Sequence, residues 1–508
     1  MRMEHGCNGE KPVMNASFNP AHNNSGKHLR SGVLNTGVIQ VIKVLCSFAS
    51  VVLLSRLLPP SDFGVVAMVT PIIYFVSLFQ SLGLNQATIQ KTSISHDEIN
   101  AFFWINILVG LILSLLVFAI SPLVGWYYGD ERVVPLTIAM GALIFLGSSG
   151  GQHGALLSRR MEFTKSAVID GMSTVGSLAV AVLCAWVFHD YWALYYATLA
   201  GTVISLVGSW AASNWRPSWP RKVSGIKGML RFGAGITSFN FMNFFARNFD
   251  NVLIGHAWGG HELGLYDRAY KVLLFPLQRV VWPLGGVMVP LLSRLKEEPE
   301  RYRQTFLKVQ AQLALAAWPG IVWGLVFADT LIPNILGAQW EGAAAIFKPL
   351  ALASFAQVAM SGVGWLFVSQ GRAKDYVRWG AVNTVLCILG FVVGLPYGAF
   401  GVAVGYAASE FLRVPYAWWA AGRRGPVNMR DIVVALSPQF VGSVVAGIVL
   451  WGAMPFVGDL SRWVVLPVSG LLAYIISLLI VCLFPAGRET IRLSWRFLLQ
   501  SLIRKKVS

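Results

Sequence analysis

Long apolar runs separated by short polar breaks organise this chain. A helix needs about 20 predominantly apolar residues to cross a hydrocarbon core, and about fourteen stretches reach that length. They lie near 33–58, 63–84, 101–124, 133–157, 166–188, 191–212, 232–257, 270–292, 307–328, 343–369, 376–396, 399–420, 432–456 and 463–485. In lipid every backbone polar group must be satisfied within the protein, so runs of this length predict helices. The pattern therefore predicts an all-α polytopic membrane protein with about 14 transmembrane helices.

The runs repeat. At an offset of about 200 residues, "LLSRLLPPSDFG" (53–64) lies against "LIGHAWGGHELG" (253–264), with Leu53/Leu253, Asp62/Glu262 and Gly64/Gly264 in register. "LRSG" (29–32) precedes its run as "LRFG" (230–233) does. Each half holds six segments and starts on the same side, which makes the repeat parallel, with a pseudo-twofold axis along the membrane normal. The expected organisation is a disordered cytosolic tail (1–30), an N-lobe (31–212), a basic cytosolic linker (213–231) and a C-lobe (232–420). Two appended helices (432–485) and a basic amphipathic C-terminal tail (486–508) complete it. Transporters built from such repeats bind substrate where the halves meet.

Composition agrees with a membrane protein: 55% of residues are hydrophobic and 12% charged, about half the charged share of soluble domains. The formal charge of +17 raises the question of nucleic acid, and the placement of the charges answers it. With the N-terminal tail inside and loops alternating, most of the 40 Lys and Arg fall on the cytosolic side. This is the positive-inside rule. It excludes nucleic acid as a partner and puts both termini in the cytoplasm. Residues 1–30 lack the apolar core of a signal peptide. Cys7, Cys46, Cys184, Cys387 and Cys482 have no metal or redox spacing and read as small buried apolar residues.

Several polar residues interrupt the apolar runs. In "NFMNFFARNFDNVLIG" (240–255), Asn240, Asn243, Arg247, Asp250 and Asn251 share one helical face. A shift of about 200 lands on Gln40, Lys43, Ser47 and Ser50, again one stripe. An intramembrane charge is costly, so it faces a wet cavity or a partner. Two readings stand for Arg247 and Asp250: they line an interior, or they pair at i,i+3 and fasten helices together. Lys43 has no acid nearby on its own helix, so an excess of cation in the interior is expected. Arg56, Lys271, Arg279, Lys348 and Arg413 also lie at or near membrane depth, against the acids Asp170, Asp250 and Glu410. Arg56, Lys271 and Lys348 have stems long enough to snorkel to an interface. Arg413 and Glu410 suit an i,i+3 structural pair, and Arg279, mid-segment, suits a cavity. Pro276, Pro283 and Pro290, seven apart, put potential bends on one face of the eighth segment.

Catalytic patterns are missing. His261 and Glu262 adjoin, but the zinc-protease pattern needs a second His where Leu265 stands. The longer outer loops, around "GGHELGLYDR" (259–268) and "ADTLIPNILGAQWEG" (328–342), are too modest for a polymerase or ligase domain. "SSGGQHGALLS" (148–158) lacks the lysine of a phosphate loop, so its glycines, like those of "GAFGVAVG" (398–405), read as close helix packing. There is no ATPase signature and no cofactor or metal is expected. The chain reads as a transporter, not an enzyme.

The blocks "LLSRLLPPSDFGVVAMV", "GLNQATIQK", "RFGAGITSFNFMNFFARNFDNVLIG", "ELGLYDRAYKVLLFPLQ" and "VMVPLLSRL" resemble the Wzx-type polysaccharide flippases, in the exopolysaccharide branch of the multidrug/oligosaccharidyl-lipid/polysaccharide exporter superfamily. The resemblance covers roughly residues 28–420. It implies a bacterial inner-membrane flippase that moves undecaprenyl-diphosphate-linked oligosaccharide repeat units to the periplasmic leaflet by alternating access of a central cationic cavity. It implies diphosphate held by Arg247; Lys43 is the counterpart in the first half by the internal register of about 200 residues alone. It also implies a polysaccharide polymerase and a chain-length regulator as partners. A lipid II-type flippase and a drug/cation antiporter of the same superfamily are the rival readings.

Overall fold

The computed structural model describes residues 26–219, 226–456 and 461–492; the side chains of 26–36, 226–243, 245–247 and 274–283 lie outside the description. Residues 1–25 of the N-terminal tail, 220–225 of the linker and the C-terminal tail beyond residue 492 are therefore outside it, while residues 26–30, expected in the disordered tail, already belong to a helix. No strand occurs among the described residues. The helices run α1 (Gly26–Leu57), α2 (Pro60–Ser77), α3 (Leu84–Gln90), α4 (His96–Tyr128), α5 (Val133–Ser148), α6 (Gly151–Arg159), α7 (Phe163–Phe188), α8 (Trp192–Ser213) and α9 (Ile226–Arg294). They continue with α10 (Pro299–Val326), α11 (Ala328–Leu336), α12 (Glu341–Met360), α13 (Val363–Ser369), α14 (Ala373–Gly394), α15 (Gly398–Gly422), α16 (Met429–Ala453) and α17 (Arg462–Leu483).

Among the described residues, 10 helices are long and apolar enough to cross a membrane, or 11 with the α5–α6 pair, bent by 42°, as one span. All fourteen expected segments lie mainly on helix, with turns inside 63–84, 133–157 and 343–369. The protein is an all-α polytopic membrane protein. One loop was misjudged: "GGHELGLYDR" is helical, and α9 has a single non-helical position, Gly259 at φ 77° and ψ −175°. Only glycine takes that conformation without strain, and Leu263, Leu265 and Tyr266 directly beyond it are buried. Pro276, Pro283 and Pro290 all lie inside the helical backbone of α9.

The described chain falls into two compact units. One takes residues up to Leu58 and from Met68 to Arg247; the other takes Pro59–Ala67 and residues from Asn248 on. Both α2 and α9 divide between them.

Inside the second unit, the start of α2 crosses α9 at backbone contact. A Cβ on Gly64 would stand 1.7 Å from the Gly260 carbonyl oxygen, and one on Gly264 would stand 1.9 Å from the Pro60 carbonyl oxygen. Residues 200 apart thus exchange roles, 64 against 260 and 264 against 60, as they do across a twofold axis. The register seen in the sequence is a physical contact. Beside it, Arg268 is buried with its guanidinium carbon 3.7 Å from the Phe63 ring centre. Phe63 also packs on Trp340, centroids 5.4 Å apart.

A second repeat feature lies in the turns that follow α6 and α13. Met161 (φ 56°) and Gly371 (φ 71°) both take the left-handed conformation. The next residue donates back across the turn in each case, Glu162 N–H to Leu157 O at 3.0 Å and Arg372 N–H to Phe367 O at 2.9 Å. Arginines then satisfy helix-end carbonyls. Arg160 donates to Ser213 O at 2.7 Å, and Arg372 to Ala420 O and Ala421 O, both at 2.8 Å. Basic residues assigned to the cytosolic side by charge counting therefore also cap helices.

The α14–α15 hairpin bears out the close-packing reading of "GAFGVAVG". Gly405 and Gly401 lie against the carbonyls of Gly390 and Gly394, where a Cβ would come within 2.0 and 2.3 Å. The core of the second unit includes Trp318 stacked on Phe355 at 4.5 Å, its indole N–H donating to Phe355 O at 2.9 Å. Of the described cysteines, Cys387 alone is buried as expected; Cys46 and Cys184 are half-buried, and Cys482 is exposed on an apolar helix. Cys7 lies outside the described residues.

Candidate functional site

Helix α7 has two faces. Ser166, Asp170, Ser173 and Ser177 fall within about 60° of arc, while Val168, Met172, Val175 and Leu183 lie opposite and are exposed. Helix α8 is built the same way, with Thr198, Thr202, Ser205 and Ser209 on one side and the exposed Tyr196, Val203 and Val207 on the other. The apolar faces suit lipid. The hydroxyl faces line a cavity of about 870 Å³ together with residues of α5 and α6.

Glycines supply much of this wall: Gly147, Gly150, Gly151, Gly154 and Gly201. A Cβ on Gly154 would meet nothing within 4 Å. The close-packing expectation for "SSGGQHGALLS" holds at Gly151, whose Cβ would come 2.8 Å from Asn85, and is corrected at Gly154. Gly154 withholds a side chain from a cavity, a spatial fact that spacing along one helix does not reveal. The break between α5 and α6 is held by a polar network. Gln80 donates to Ile144 O at 2.8 Å, Asn85 accepts from Asn106 at 2.9 Å and Gln152 at 3.0 Å, and Thr88 donates to Gln152 at 2.8 Å.

At this cavity Lys43 of α1 reaches Asp170, Nζ to Oδ2 3.1 Å, with the lysine side chain 23% and the carboxylate 58% exposed. The expected excess of cation does not hold at Lys43. Its acid comes from another helix, 127 positions away, where inspection of α1 alone does not find it. Ser47, on the same stripe, donates back to Lys43 O at 2.7 Å. Gln40 and Arg56 are exposed on α1.

In the second unit, Asp250 is buried and accepts the Tyr266 hydroxyl at 2.9 Å and the Asn251 backbone N–H at 2.9 Å; Asn251 is half-buried. The side chains of Asn240, Asn243, Arg247 and Arg279 lie outside the described ones, although their backbone belongs to α9. Arg413 and Glu410 form the i,i+3 ion pair their spacing suggested, and Gln357 also donates to Glu410 at 3.0 Å. Lys271 pairs with Asp267 at 2.8 Å and Lys348 with Asp329 at 2.7 Å. Sequence reasoning missed Asp267, the buried Arg268 and the hydroxyl faces of α7 and α8. Serines and threonines at helical spacing opposite an apolar face were the available signal.

A polytopic helical transporter with charged and hydroxylic side chains turned inward is the class this fold and these sites define. The chain belongs to the polysaccharide biosynthesis protein family, which matches residues 53–345, and its role is transport in polysaccharide biosynthesis, as its Wzx-like blocks implied. It is 22% identical over 441 residues to the lipopolysaccharide biosynthesis protein WzxC of Escherichia coli K12, covering 84% of this chain and 88% of that one. It is 24% identical over 445 residues to the teichuronic acid biosynthesis protein TuaB of Bacillus subtilis, covering 84% and 89%. Among solved structures, the inward closed conformation of the lipid II flippase MurJ shares the fold, with TM-score 0.70 and 12% identity over 87% of this chain and 97% of that one.

Proposed function

We propose that this protein flips undecaprenyl-diphosphate-linked oligosaccharide repeat units across the bacterial inner membrane, from the cytosolic to the periplasmic leaflet, for exopolysaccharide or lipopolysaccharide biosynthesis. The observation that carries the reading is the family match over residues 53–345 in a chain that is polytopic and helical. The head group crosses by alternating access of a cationic, hydrated central cavity while the polyprenyl tail stays in hydrocarbon. Without such a path the diphosphate would face a prohibitive desolvation cost.

In this mechanism Arg247 engages the diphosphate, because a planar guanidinium can hold two phosphate oxygens at once. Lys43 joins it by exchanging Asp170 for phosphate, so that the ammonium keeps an anionic partner at every stage. Asn240, Asn243 and Asn251 offer amides to sugar hydroxyls, Asp250 fixes the helix turn that carries Arg247, and Gln40, Arg56 and Arg279 extend the polar path. The protein acts as a transporter and hands its cargo to a polymerase and a chain-length regulator. Both termini lie in the cytoplasm, which the distribution of Lys and Arg supports.

The test is surface polysaccharide in exporter-deficient cells complemented with Lys43→Met, Arg247→Gln and the double variant, at equal membrane levels of each. Output is expected to fall about tenfold or more in the double variant, the loss of at least one charge-assisted contact. Unchanged output would remove both residues from the mechanism. Rescue of cell-wall arrest instead of polysaccharide would favour a lipid II-type flippase, and export of cationic dyes would favour a drug antiporter.

A further inference from the structure

We infer that the cavity walled by α5, α6, α7 and α8 is a subsite for the sugar part of the lipid-linked cargo, an inference that rests on the flippase reading above. Its volume, about 870 Å³, falls in the range of about 300–1,000 Å³ typical of small-ligand sites. Its chemistry selects the occupant. Ser173 donates its proton to Gly201 O at 2.8 Å, Thr198 to Leu194 O at 2.9 Å and Thr202 to Thr198 O at 2.8 Å. Each hydroxyl oxygen thus keeps lone pairs for the cavity, and Asp170 adds a carboxylate. An acceptor-rich wall suits a ligand that brings many O–H donors, which is the chemistry of a saccharide.

Other occupants fit less well. A diphosphate inside this cavity would meet the Asp170 carboxylate, while Lys43, which pairs with that carboxylate at 3.1 Å, is not among the residues that line it. A lone organic cation finds that carboxylate neutralised by the same pair. An acyl chain would leave the hydroxyls facing hydrocarbon. The apolar faces of α7 and α8 point the opposite way, so the polar face is an interior and not a flaw in a lipid surface. Five glycines line the wall, and Gly154 faces free space. On the proposed topology α6 ends and α7 begins at the cytosolic side, so the cavity lies in the half of the membrane where cargo is loaded.

The experiment uses the purified full-length chain in lipid nanodiscs and two probes: a short-chain polyprenyl diphosphate bearing a neutral disaccharide, and the same diphosphate without sugar. The wild-type chain is expected to bind the sugar-bearing lipid about tenfold more tightly, the equivalent of one or two added hydrogen bonds. Gly154→Leu, which fills the cavity, and the milder pair Ser177→Ala/Ser205→Ala should erase that preference while leaving affinity for the bare lipid and the unfolding midpoint in place. Equal binding of both lipids by the wild-type chain, or variants that weaken both alike, would overturn the sugar subsite alone. Binding of neither lipid would overturn the flippase reading, and this inference with it.

Discussion

Replacing Gly64 by alanine puts one methyl group where the backbone of another helix already stands. The new Cβ would sit 1.7 Å from the Gly260 carbonyl oxygen, whereas real Cβ contacts essentially never fall below 3.0 Å. The crossing must open by more than an ångström, and the obstacle is backbone, which has no rotamer to move aside. Overpacking of this kind costs about 1–3 kcal/mol, and the backbone obstacle places Gly64→Ala toward the upper end. Alanine regains about 0.5–1 kcal/mol of the entropy that glycine forfeits inside a helix, which leaves a net loss of about 1–2 kcal/mol.

Gly154→Ala is the control, since its Cβ meets nothing within 4 Å and only the entropic gain remains. Thermal unfolding of the full chain in detergent should lower the midpoint for Gly64→Ala and leave it level or raised for Gly154→Ala. The repeat makes a sharper demand. Gly264→Ala should cost as much as Gly64→Ala, because its Cβ lies 1.9 Å from Pro60 O. Since one opening of the same crossing accommodates both methyls, the double variant should cost clearly less than the two singles together. Strict additivity, or equal midpoints for the Gly64 and Gly154 variants, would refute the reciprocal crossing.

Two further outcomes follow from the polar contacts of Arg372 and Lys43. Arg372→Ala strips the partners from Ala420 O and Ala421 O and should cost about 1–3 kcal/mol of unfolding free energy; Arg372→Lys, with a single point of contact, should recover only part of it. A double-mutant cycle of Lys43→Met and Asp170→Asn should give a coupling of about 0.5–1 kcal/mol, as befits a partly exposed pair. A coupling indistinguishable from zero would mean that the 3.1 Å contact is incidental.

The sequence by itself determined the class of the protein. Lipid offers the backbone no hydrogen bonds, so long apolar runs leave the chain few options besides helices. The twofold register was legible too, through Gly64 and Gly264, because glycine at matched places in a repeat reports a close approach. The candidate site was legible only as a set of charges at membrane depth. Lys43 and Asp170 were each conspicuous alone, but their pairing depends on α1 lying along α7, a choice made by packing between segments far apart in the chain. The same holds for the glycines of α5 and α6. Beside a neighbouring helix a bare Cα gives close contact and beside a gap it gives room, and only the tertiary structure decides which, because the space belongs to several helices and to none of their sequences.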